Sequence, residues 1–120
     1  MTTERERIPV EEVLRLFPQK VAEKARYWRQ LKELHAAEGE WDDAAETGEI
    51  ALSYESAIEK MILFLEAIRV ASVEIQRDGW EATVLPDWWT GWVNANMLRE
   101  LALGTDENRL EWARSLFHRK

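Results

Sequence analysis

His35 and His118 are the only histidines, and there is no cysteine. A thiolate metal site is therefore excluded, and a zinc ion held within one chain would have to draw mostly on carboxylates. No glycine-rich phosphate loop, H-E-x-x-H, Glu-x-x-His or nucleophile elbow occurs, and serine catalysis has no local signature. Tryptophan is abundant: there are seven, and Trp80, Trp88, Trp89 and Trp92 fall close together. Large rigid aromatics concentrate at interface hot spots and on stacking platforms, and they also fill small cores. On a helix Trp88 and Trp89 would differ by about 100°, so both cannot point the same way. One of them is expected at a contact surface, with Gly91 allowing a second backbone to approach.

Two further patterns bear on catalysis. Arg29 and His35 form an R-x5-H pattern that resembles the motif of HEPN ribonucleases, helical bundles in which an Arg and a His flank the scissile phosphate. The resemblance implies RNA cleavage by Arg and His. On a regular helix the two side chains stand roughly 120° apart, which puts His35 inward with Leu31 and Trp28 and turns Arg29 to water. The pair Glu46-x2-Glu49, followed by Glu74-x3-Asp78, is similar to the ExxE and ExxD pairs with which all-helical nucleoside triphosphate pyrophosphohydrolases hold magnesium. The second pair here has one residue more between its members. If one helix joins Glu49 to Glu74, those carboxylates lie roughly 37 Å apart and cannot share an ion within one chain. No catalytic residue, metal ligand or cofactor is therefore expected, and His118 is accounted for by the dipole at a helix end.

The elements that would position these residues are helical throughout. Ile50, Tyr54, Ala57, Met61, Phe64, Ile68, Ala71 and Ile75 alternate steps of four and three, which keeps side chains on one helix face. A single unbroken helix over about 50–77 is predicted, stopped at Asp78-Gly79. Leu52, Leu63 and Val70 form a second stripe on its opposite side, so the helix needs two sets of neighbours or a second copy of the chain. Before it come a charged flexible tail at 1–7, a short helix opened by Pro9, and a second helix from Pro18 to about Ala37. An acidic connection bearing Trp41, Asp42 and Asp43 follows; Lys and Arg are absent between Lys32 and Lys60. Thr47 or Ser53 would cap the central helix. A helix from Pro86 to Leu103 and a last one capped by Thr105 complete the chain. The fold class is thus an all-α bundle of about four main helices plus a short amino-terminal one, forming a single domain over 8–120.

A hydrophobic fraction of 46% excludes a disordered chain, and a net charge of −7 opposes direct attraction to nucleic acid or anionic lipid. The longest apolar run, Met61 to Leu65, is far shorter than the roughly 20 residues of a membrane span. No apolar segment follows the charged start, so no secretory signal is read and a cytoplasmic location is expected. The function expected is non-catalytic protein binding, as an adaptor, assembly factor, inhibitor or nucleic-acid mimic, with another protein or a second copy as partner. Its surface would comprise Trp41, Asp42, Asp43, Leu52, Leu63, Val70, Trp80, Trp88, Trp89 and Trp92. A nucleotide or RNA hydrolase is the alternative.

Overall fold

The computed structural model describes residues 6–117, so His118 and most of the expected tail at 1–7 lie outside the described residues. The fold is all-α with one minimal strand pairing. Its elements are β1 (Ile8–Pro9), α1 (Val10–Ala37), α2 (Trp41–Glu59), α3 (Met61–Arg77), β2 (Thr83–Val84), α4 (Trp88–Trp92), α5 (Ala95–Leu103) and α6 (Asp106–Leu116). α1 and α2 form a hairpin; α5 packs on α2, while α6 packs on α3. The molecule measures 55 × 40 × 22 Å, and its thin dimension is two helix diameters.

Several expectations are corrected by packing or capping. Pro18 does not separate two helices: it lies inside α1, which runs from Val10 to Ala37. Pro18 deprives the Leu14 carbonyl of its donor at a cost of about 3 kcal/mol. The adjacent Phe17 offsets that cost. It is fully buried, with ring centroids 5.7 Å from Phe64, 6.4 Å from Trp88, 6.0 Å from Trp89 and 5.7 Å from Trp112. Burial of one such side chain contributes roughly 1.5–3 kcal/mol, and each aromatic pair about 0.5–1.5 more.

The predicted rod over 50–77 is broken at Lys60, whose backbone (φ −105°, ψ 19°) ends α2 and begins α3. The chain does not lose its main-chain bonds there. Lys60 N–H donates to Ser56 and Ala57, and its carbonyl accepts from Leu63 and Phe64. The break answers to the period of the apolar stripe. A repeat of 3.5 residues drifts by about 20° per heptad around a straight helix, so four heptads would turn it well away from its starting side. Below the break Ala51, Tyr54 and Ala57 are buried in the layer of α1 and α5; above it Phe64, Ile68 and Ala71 are buried in the layer of α6.

The acidic connection is shorter than expected. Glu38–Glu40 suffice, with Gly39 in the left-handed region (φ 78°) and Glu40 N–H returning to the His35 carbonyl at 2.9 Å. Thr47 and Ser53 cap nothing: both are buried inside α2 and donate to the carbonyls of Asp43 and Glu49. A Cβ on Gly48 would come within 3.1 Å of the Lys32 stem, which would have to shift slightly to admit it.

The helix predicted over 86–103 is two. Val93 is extended and Asn94 accepts the Met97 N–H at 2.9 Å, starting α5 afresh. The strand pairing was not expected either: Ile8 lies opposite Val84 and Pro9 opposite Thr83. Arg7 reinforces it, its Nε donating to Thr83 Oγ1 at 2.8 Å.

Gly104 ends α5 as expected, and Thr105 caps α6 in a reciprocal arrangement with Asn108. Arg109 ties this corner together. Only 4% exposed, it donates to the carbonyls of Leu101 at 2.7 Å and Gly104 at 3.2 Å, and to Asp106 Oδ1 at 2.6 Å.

Two stability outcomes follow from these contacts and are measured by denaturant unfolding. Phe17→Ala is expected to lose about 3–5 kcal/mol. Arg109→Lys, which keeps the charge but not the planar fork, is expected to lose about 2 kcal/mol.

Candidate functional site

The Arg and His of the R-x5-H pattern are engaged separately. Arg29 crosses from α1 to α2 and binds Glu55 through two parallel bonds, Nε to Oε2 at 3.0 Å and Nη2 to Oε1 at 2.6 Å. That hydrogen-bonded carboxylate raises the pKa of an already cationic group. His35, in the last turn of α1, meets Glu40 with Nδ1 2.6 Å from Oε1. One residue fastens the hairpin and the other closes its end.

The carboxylate pairs are not brought together. Glu49 approaches Arg99 of α5 at 3.9 Å, whereas Glu74 binds Arg114 of α6 through bonds of 2.8 and 2.9 Å. The hydrogen bond from Arg114 holds the Glu74 carboxyl below the usual range.

A different group assembles at the hairpin tip. His35, Glu40 and Asp43 each place one ligand atom within 4.8 Å of the others. One imidazole and two carboxylates form a donor set that a divalent transition ion could use. Sequence reasoning missed it because its members span a chain reversal; the signal was Gly39 between His35 and Glu40.

The tryptophans divide between core and surface. Trp88 is 3% exposed and faces the Phe17 nest, and Trp89 is half-buried against it, with the Lys20 ammonium 5.8 Å from its ring centroid. Trp92 is half-buried and its carbonyl accepts the Trp112 indole N–H at 2.9 Å. Trp80 is exposed, and Trp41, 69% exposed, projects beside exposed Asp42 and Asp43 at the hairpin tip.

Leu52, Leu63 and Val70 are all exposed, but the break at Lys60 places Leu52 on α2 and the other two on α3. Leu63 and Val70, each 37% exposed, line an open groove of about 220 Å³ with Ala67, Leu110, Glu66, Asp106 and Arg109. The apolar surface extends past them to Ile62, 78% exposed, and to Val73. These two were missed. Read alone, the steps Ile62, Glu66, Arg69, Val73 would have marked a third line along the helix.

No protein-family model matches the chain, and no match to it was found among curated proteins or solved structures. No helix among the described residues is long and apolar enough to cross a membrane.

The His35–Glu40 contact sets a pH dependence. Donation from the His35 Nδ1–H to the Glu40 carboxylate raises the His35 pKa above the ordinary 6.5, against an opposing desolvation effect. A raised value in the fold means that the contact contributes fully below pH about 6.5 and is lost as pH rises through the raised value. An NMR titration of the His35 ring is expected to show the upward displacement, and Glu40→Gln is expected to remove it.

Proposed function

We propose that this chain is a non-catalytic protein-binding module, acting as an adaptor, assembly factor or inhibitor. The observation that carries the reading is the uncovered apolar surface of α3, where Ile62, Leu63, Val70 and Val73 adjoin the groove shared with α6. An aliphatic strip rimmed by charges suits the side chains of a protein partner. The engagement of Arg29 by Glu55 and of Glu74 by Arg114 supports the same reading, because both groups would have to leave ion pairs to meet a phosphate or a magnesium ion. Trp41 with Asp42 and Asp43 offers a second contact, an aromatic beside acids, of the kind that enters a basic groove.

The hydrolase alternative is separated by a thermal-shift series with magnesium and a nucleotide panel, since a ligand bound only by the folded chain raises its apparent stability. No shift is expected. A nucleotide-dependent shift that Glu74→Gln abolishes would overturn the binding reading.

A further inference from the structure

Resting on that reading, we propose that the occupant of the α3 surface is a second copy of this chain, its α3 laid antiparallel across a two-fold axis. Ile62, Glu66, Arg69 and Val73 follow each other at steps of four, three and four, so they lie within an arc of about 60° along one line of the helix. All four are exposed. Glu66 and Arg69 make no side-chain hydrogen bond or ion pair among the described residues, although other charged residues on the same layer, Glu74 and Arg114, do. Two charges are therefore left unmatched in the middle of an apolar strip.

The order of the four residues supplies the match. The midpoint of Ile62 and Val73 and the midpoint of Glu66 and Arg69 coincide, between Ala67 and Ile68. A two-fold axis through that point sets Ile62 of one copy opposite Val73 of the other, and Glu66 opposite Arg69, each contact occurring twice as isologous symmetry requires. Leu63 and Val70, on the flank toward α6, have their midpoint one residue away and meet across the same axis. Every apolar residue of the strip then finds an apolar partner and every charge its opposite. Parallel pairing would instead stack Glu66 on Glu66 and Arg69 on Arg69, which like charges oppose. Symmetry thus selects the antiparallel arrangement. A contact centred on one helix of 17 residues lies at the small end of stable interfaces, so the expected association is in the micromolar range.

Sedimentation equilibrium of the full chain, from low micromolar to several hundred micromolar, tests the proposal. A monomer–dimer equilibrium is expected. Glu66→Arg and Arg69→Glu alone should each weaken it at least about tenfold, because each replaces two attractions by two repulsions. The double variant, with the charges exchanged, should recover the wild-type association. Both positions are exposed, so the helical circular dichroism of each variant should stay unchanged. A monomer throughout the range overturns the α3 dimer, as does a dimer indifferent to the single exchanges or not restored by the double one. These failures leave the binding reading standing with a different protein partner; that reading falls on the nucleotide-dependent shift, which the sedimentation experiment does not measure.

Discussion

The structure depends on one side chain from the amino-terminal third reaching the centre of everything that follows. Phe17 touches rings from α3, α4 and α6, and so joins segments that the chain delivers one after another. The hairpin of α1 and α2 could form on local contacts alone. The upper layer could not: α3, α4 and α6 have in common the ring of Phe17, along with Phe64 facing Trp112 at 5.7 Å. This nest explains why a proline is carried within α1. Keeping Phe17 at its centre contributes more than the missing donor costs.

That same nest limits what the sequence could reveal. The apolar periodicity of α1 before Pro18 marks positions that are buried or half-buried, whereas after it Tyr27 and Leu34 are exposed, and the local rule that proline begins a helix cuts the helix in two. Nothing near residue 17 indicates that four aromatic rings from distant segments converge there. Lys60 is the reverse case. No breaker residue marks it, and only the drift of a 3.5-residue stripe over four heptads shows that one straight helix cannot serve two layers. Asn94 was legible in principle, since Asn is a strong cap, but the apolar residues on either side of it hid the boundary. The all-α class, the stop at Gly104 and the cap at Thr105 were legible because each rests on local chemistry that tertiary packing did not override.

The candidate surface was half legible for a related reason. Leu63 and Val70 were singled out because they lie opposite the buried stripe, and they are exposed. The tryptophan cluster could not be sorted from the sequence, because a large ring serves equally in a nest or at a contact. Trp88 is buried in the nest, whereas Trp41, distant from the cluster in sequence, is open to solvent. The carboxylate pairs fail through partner choice. Glu74 and Glu49 are neighbours in composition but bind arginines on different helices, an outcome set by the fold and invisible in the spacing.

The thin dimension of 22 Å gives the exposed face of α3 its meaning. In a body two helices thick, each helix has an inner side and an outer side, and the outer side contributes little to the core. On α1 and α2 much of that outer side is charged, and the arginine–glutamate pair between them is spent on the fold. On α3 the outer line instead sets two charges, Glu66 and Arg69, between the aliphatic Ile62 and Val73, and both aliphatic side chains are left exposed in the monomer. A surface of this kind costs solubility and adds no stability to the isolated chain. In the proposed dimer, Glu66 and Arg69, central in the strip, would limit non-specific adhesion while admitting one oriented partner. The attraction in that dimer would fall to the apolar residues and the choice of orientation to the order of the charges.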